Sequence, residues 1–245
     1  MRAQLPGLDL GVYARAVPLL LRNPVIIVVP LLMAVIGVAL GMTGLPGGGS
    51  GFIGMTTGGL TGLIVQLLDL FGLGVACIIA DEAWRRGSAS FERGWSDAQR
   101  RAGDIFFTAI GIVLISAVAG YAGQLLGSFW VAVALIAIAT IVLIWAIPAA
   151  AVGGIPGGAA IQSSFDRVRA APLPAILATV VFVALTTFAA PWAAGEIGLW
   201  LSPFVGSESG LVQLLLVALF EAIATGYIAL VITKLYTDSA FGRRW

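Results

Sequence analysis

Six stretches of the chain carry apolar residues almost without interruption: 24–42, 60–80, 105–126, 129–152, 173–190 and 211–232. Each is close to the roughly 20 residues that a helix needs to cross a ~30 Å hydrocarbon core. Between some of them the pattern changes to an amphipathic one. In "SFERGWSDAQRRAGDIFF" (90–107), Phe91, Trp95 and Ala98 recur at helical spacing, while Glu92, Arg93, Ser96, Gln99 and Arg100 fill the remaining circumference. Val12, Ala16 and Leu19, followed by Arg22, do the same before the first run. Ile161, Phe165 and Val168, with Arg167 and Arg169, do so before the fifth. Such segments are expected to lie in the headgroup plane, apolar face down. A break or helix start follows each one ("RNPV", "RAGDI", "RAAPLP"), and then a pair of spans. The predicted fold is therefore an all-α integral membrane protein. Its six transmembrane helices form three hairpins, each preceded by a cytoplasmic amphipathic surface helix. Residues 1–245 read as a single polytopic membrane domain, with possible internal repeats over 8–83, 89–152 and 158–237. The plainer alternative is that any basic loop before a span tends to be amphipathic.

Charge orients this pattern. Only 10% of the 245 residues are charged and 60% are hydrophobic, against roughly 25% charged in a soluble domain. The linker 43–59 carries no charge, 127–128 is a tight turn, and 202–210 has only Glu208. All 13 Lys and Arg residues fall on the other side of the spans. Positive residues near span ends stay in the cytoplasm, so both termini are expected there, in an inner (cytoplasmic) membrane. Arg15 and Arg22 give the first run the look of a signal peptide. No small-residue cleavage site follows it, however, and it is long for a signal core, so it is read as a span. Pro191 is expected to end the fifth helix, since proline lacks the backbone donor and clashes with the preceding turn. The following "PWAAGEIGLW" places Trp192 and Trp200 at the outer interface, with Glu196 in reach of water; a re-entrant segment lining a cavity is the alternative.

Two cytoplasmic segments, "SASFERGWSDAQRRAGDIFF" (88–107) and "GGAAIQSSFDRVRAAPLPAIL" (157–177), resemble loops of a broad bacterial group of six-span proteins. That group is similar to the membrane domain attached to some glycerophosphodiester phosphodiesterases, in which a short Ser-containing basic amphipathic helix precedes a span. The resemblance implies an all-helical membrane domain. It carries no catalytic residue onto this sequence, because the phosphodiesterase chemistry belongs to a separate soluble domain.

The candidate chemistry is sparse. A net charge of +1 argues against nucleic acid as a partner, which needs a strong basic excess. There is no histidine, so the commonest general base and metal ligand is missing, and Cys77 is the only cysteine. Ser163 and Ser164 have no histidine to activate them, and the Gly-rich loops follow no strand. Asp81 and Glu82 with Arg85 and Arg86 read as i,i+4 pairs at a helix end. No catalytic residue, metal site or cofactor is expected. Gly37 and Gly41, Gly123 and Gly127, and Ala218, Ala222 and Gly226 are small residues four apart, a spacing that lets helices approach closely. Arg93, Arg100, Arg101, Arg167 and Arg169 are expected to contact anionic lipid headgroups.

Three carboxyl groups stand out: Asp69, Glu221 and Glu196. Asp69 lies about 14 Å along its helix from Leu60, and Glu221 about 16 Å from Gly210, at ~1.5 Å per residue. Both are thus expected near the middle of the membrane. No Lys or Arg lies within a span core to neutralise them. An ionised acid there costs roughly 2.5–3.5 kcal/mol, so at least one is expected to be protonated. Gln66, Thr140, Thr186, Thr187 and Thr225 look scattered, which weighs against a solute pathway. The function expected from sequence is a non-catalytic scaffold or accessory subunit that packs against lipid or partner membrane proteins. The alternative is a small proton- or cation-linked transporter, or a lipid-handling protein, that uses the buried carboxyls.

Overall fold

The apolar runs have no alternative to helix inside a bilayer, where each backbone N–H and C=O must be satisfied within its own segment. The computed structural model describes residues 9–42, 60–127, 129–206 and 209–241. Its elements are α1 (Gly11–Arg22), α2 (Val25–Met42), α3 (Leu60–Arg86), α4 (Phe91–Leu125), α5 (Phe129–Leu143) and α6 (Ala146–Ala151). There follow α7 (Gly157–Ala170), α8 (Pro172–Val183), a π-helical turn (Ala184–Ala189), α9 (Ala190–Val205) and α10 (Ser209–Phe241). No strand occurs among the described residues. Six stretches are long and apolar enough to cross a membrane, one for each predicted run: Val25–Met42, Thr61–Arg86, Phe91–Gly123, Trp130–Ala151, Pro172–Val205 and Ser209–Ala240. The chain is an all-α, multi-pass membrane protein.

The spans form a ring in chain order. α2 packs on α3, α3 on α4, α4 on α5, α5 on α8, α9 on α10, and α10 back on α2. α3 and α10 also pack on each other across the ring, and they are its most buried spans. Towards the arginine-bearing end the interior is solid: residues 75–80 of α3, 228–232 of α10 and every residue of α6 are buried.

Lipid tails are as apolar as leucine, so helices in a bilayer associate through close packing instead of the hydrophobic effect. Gly123 shows this directly, because a methyl group there would run into the backbone of Ala132, where α4 turns back into α5. Gly37 faces Val65, Gly226 faces Leu20, Ile26 and Ile27, and Ala218 and Ala222 are each 1% exposed. Gly41 has open space around it, and Gly127 occupies the turn after α4 with a φ of +69°. We expect Gly123→Ala to destabilise the protein by about 1–3 kcal/mol through overpacking. Gly41→Ala is expected to be neutral or slightly stabilising. Thermal unfolding in detergent separates the two.

The structure departs from the sequence reading at three points. First, no break follows the amphipathic stretch that begins at Phe91: α4 runs unbroken from Phe91 to Leu125, so that stretch is an extension of the third span. The other two such segments, α1 and α7, are separate helices, which end at Asn23 and Ala171, the residues before Pro24 and Pro172. A residue before proline is pushed out of the α region. "RAGDI" has only a glycine, which weakens a helix by about 1 kcal/mol without ending it. Second, the fifth helix continues past Pro191 to Val205. The π-helical turn Ala184–Ala189 ends with Ala190 between it and Pro191, and absorbs the proline's missing donor and bulky ring. Third, the fourth span is broken at Ile144–Trp145.

The amphipathic segments dock on the bundle. Val12, Ala16 and Leu20 of α1 are buried, Leu19 is half-buried, and the Tyr227 hydroxyl donates to the Tyr13 carbonyl at 3.1 Å. Burial, and then the neighbouring Tyr227, push the Tyr13 phenol up to about 12. Asn23 ties the α1–α2 junction to the loop after α3: its Oδ1 accepts from Ala89 N at 2.8 Å and its Nδ2 donates to Leu19 O at 3.0 Å. In α7, Ile161 packs against Gly111 while Phe165 stays exposed.

Candidate functional site

Because α3 and α10 meet at the centre of the ring, their two intramembrane acids come to one place. Asp69 and Glu221 line a single cavity of about 120 Å³. All six spans contribute to its wall. Pro30 comes from α2, Gln66 from α3, Ser116 from α4, Thr140 from α5, Thr186 from the π-helical turn and Thr225 from α10. Aliphatic and aromatic side chains such as Val65, Leu73, Ile112 and Phe182 fill the spaces between them. On α3 the cavity runs from Gly62 to Leu73. It therefore ends where the solid packing of 75–80 begins, in the half of the bundle away from the arginines.

Helix irregularities surround this cavity. Pro30 sits inside α2 and removes one backbone donor, the π-helical turn presents Thr186, and the break in the fourth span presents Leu143 and Ile144. The cause of the break is Pro148, which lacks an N–H and whose ring excludes the carbonyl of Ile144. The opened ladder is closed from outside the span. Ser164 of α7, fully buried, donates through Oγ to Val142 O at 2.6 Å and accepts from Trp145 N at 3.2 Å. A side chain inserted into the backbone ladder is one of the recognised causes of a bent helix. Ser164 thus has a structural partner at each of its two bonding directions.

The chemistry of the lining follows from where its protons are used. Thr140 and Thr186 each donate to the carbonyl one turn back, Ile136 O and Phe182 O, both at 2.9 Å. Their lone pairs remain as acceptors. The carboxyl oxygens of Asp69 and Glu221 add further acceptors. Gln66 is 7% exposed, and its Nε2 has no hydrogen-bond partner, so the wall also holds one unsatisfied donor. No Lys or Arg lines the cavity. In low dielectric a carboxyl group favours its neutral form unless a positive charge compensates it. An oxygen-lined site of this kind can exchange protons or hold a monovalent cation. By volume it admits a few waters or a solute no larger than benzene, which fits a ~150 Å³ cavity. No cluster of three or more His, Cys, Asp or Glu that could hold a metal ion occurs among the described residues.

The structure therefore joins residues that looked scattered. Gln66, Thr140, Thr186 and Thr225 converge on the two acids, and Ser116 joins them without having been singled out. Thr187 is not part of the wall, and its hydroxyl is buried without a partner. Glu196 is exposed on α9, apart from the cavity. A lone serine in an apolar run, like Ser116, and a proline at 148 were the only signals of what was missed; which way each helix faces is not written in either.

Of the five arginines assigned to lipid, four have protein partners. Arg93 Nε lies 3.0 Å from Glu82 Oε1, and Arg100 Nη1 lies 3.6 Å from Asp97 Oδ1. Arg101 Nη1 donates to Ala151 O at 2.6 Å and Val152 O at 2.9 Å, which caps the end of α6. Arg167 stacks 4.4 Å over the Tyr236 ring and donates to Ser239 Oγ at 3.0 Å. Arg169 is exposed.

Fold and site define a class: a six-span helical membrane protein with an acidic cavity inside the bundle. Comparison with family models, with curated proteins and with solved structures returns no match.

Proposed function

We propose that this protein is a small proton- or cation-linked membrane transporter whose binding site is the Asp69–Glu221 cavity. The observation that carries the reading is convergence: every span sends a residue to one cavity that holds two acids, several hydroxyls and no basic group. Polar and ionisable groups are expensive inside a membrane, and a bundle needs none of them to pack. The scaffold role expected from sequence accounts for the six helices but leaves this cavity without a use. Size argues for an ion or small solute over a lipid, because about 120 Å³ cannot enclose a headgroup with its acyl chains. The solid packing of 75–80, 228–232 and α6 supports a seal on one side of the site. Alternating access then requires that seal to open.

In this reading the arginine-bearing end faces the cytoplasm of an inner membrane, as the positive-inside rule requires. A reporter fused after Trp245 or inserted near Gly87 is expected to report cytoplasm, and one near Gly48 the outside. A C-terminus on the outer side would invert the proposed direction of access. Function itself is tested by reconstitution into liposomes with a trapped pH dye. Imposed gradients of Na⁺, K⁺ or small alkylammonium ions should drive proton movement beyond that of protein-free vesicles. Absence of coupled movement for all of these ions would overturn the transporter reading.

A further inference from the structure

At the arginine-bearing end a second cavity, of about 410 Å³, opens between the end of α3, the start of α4, the end of α6 and α10. Five arginines line it, Arg85, Arg86, Arg93, Arg100 and Arg101, against three carboxylates, Asp81, Glu82 and Asp97. The excess is two positive charges. The carboxylates are engaged in holding the wall together. Asp81 pairs with Arg85, and the buried Glu82 bridges Arg86 at 3.2 Å and Arg93 at 3.0 Å while accepting from Ser90 N at 3.1 Å. Asp97 meets Arg100 at 3.6 Å. A guanidinium carries five N–H donors in a rigid fork. The carboxylates and carbonyls named here take up one or two nitrogens of each arginine. The pocket is therefore far richer in donors than in acceptors.

Two backbone features point the same way. The terminal carbonyls of α6 would repel an anion, but Arg101 already caps them through Ala151 O and Val152 O. The start of α4, with Arg93, Gly94 and Ser96 in the lining, brings the positive end of a 35-residue helix to the pocket. Lysine point charges would attract anions diffusely. Planar forks of arginine match the paired oxygens of a phosphate.

We propose that this pocket binds a phosphate group, carried either by an anionic lipid headgroup or by a small soluble phosphate. It is independent of the acidic cavity, which lies beyond the packed layer of 75–80 and α6. The site sits at the end of the spans, where headgroups lie, and its volume admits a phosphate with a glycerol-sized substituent. This goes beyond five arginines on flat surface helices: Arg85 and Arg86 belong to the same pocket, whereas Arg167 and Arg169 do not.

The test uses the full chain in nanodiscs. In neutral phosphatidylcholine discs, inorganic phosphate is titrated against chloride at matched ionic strength, and thermal unfolding is read. In a second set, a minority of the lipid is phosphatidylglycerol, and retained lipid is counted by native mass spectrometry. Stabilisation by phosphate in neutral discs identifies a soluble ligand; retention of phosphatidylglycerol alone identifies a headgroup. Either supports the proposal if binding is roughly tenfold or more weaker in Arg85→Gln/Arg100→Gln. That double variant leaves the Glu82 pairs and the Arg101 cap in place. If it does not fold, competition on the wild type decides, since sulfate should displace the phosphate group and chloride should not. No binding of either probe, equal binding in the variant, or displacement by chloride would each overturn the assignment.

Discussion

Glu221→Gln and Asp69→Asn are expected to leave the bundle assembled and to reduce coupled flux in liposomes to the level of protein-free vesicles. Both substitutions keep the shape of the side chain and its ability to hydrogen-bond, so the change in stability should stay within about 1 kcal/mol. What they remove is the ability to take and release a proton, or to offer a charged oxygen to a cation. The two acids share one cavity that no Lys or Arg lines, so no neighbouring group in the wall can supply the lost charge. The same measurement on Glu196→Gln provides the contrast: that side chain is exposed on α9 and should leave flux unchanged. Gln66→Leu is a further probe, because its Nε2 is buried without a partner and an apolar replacement should be stabilising if nothing binds there. Full flux in both acid variants would remove the carboxyls from the mechanism.

The second large effect is expected from Ser164→Ala, which should destabilise the protein by about 1–3 kcal/mol for each buried backbone group left without a partner. Two backbone groups depend on this hydroxyl, Trp145 N–H and Val142 C=O. The Trp145 N–H is cut off from water, because Ser164 and Trp145 are both buried, whereas Val142 is half-buried. The adjacent Ser163→Ala is the control. Ser163 is half-buried, its contact with Arg167 Nε is long at 3.4 Å, and its loss should be nearly silent. Since Leu143, Ile144 and Ile147 line the acidic cavity on either side of the break, Ser164→Ala should also loosen that wall and lower flux. Thermal unfolding in detergent, paired with the liposome assay, reads both consequences. A Ser164→Ala variant as stable as wild type would mean that the broken span closes its own ladder.

Much of this architecture is written directly in the sequence. The number of spans follows from apolar length alone, because a bilayer leaves the backbone no option but to satisfy itself within each helix. The ends of α1 and α7 follow from Pro24 and Pro172, which act on the residue just before them. Asp69 and Glu221 stand out as acids in apolar runs, and counting residues along a helix places them at similar depths. These are local properties: each depends on one residue and its near neighbours in the chain.

Rotation and repair belong to the tertiary structure. Whether Asp69 faces lipid, α2 or α10 depends on how α3 is turned about its axis. That is set by contacts such as Gly72 on Pro30 and Met33, made by residues distant in sequence. For the same reason Gln66, Ser116, Thr140, Thr186 and Thr225 look unrelated until six helices close into a ring around them. Pro191 and Pro148 show that a local rule can have different outcomes. One is absorbed by a π-helical turn within its own helix, the other breaks its helix and is mended by a serine from α7. From the sequence alone come the membrane class, the six spans and the two central acids, because each rests on local chemistry. Only the tertiary structure decides that the acids share a cavity, and that five arginines share a pocket, because both depend on which helix faces meet.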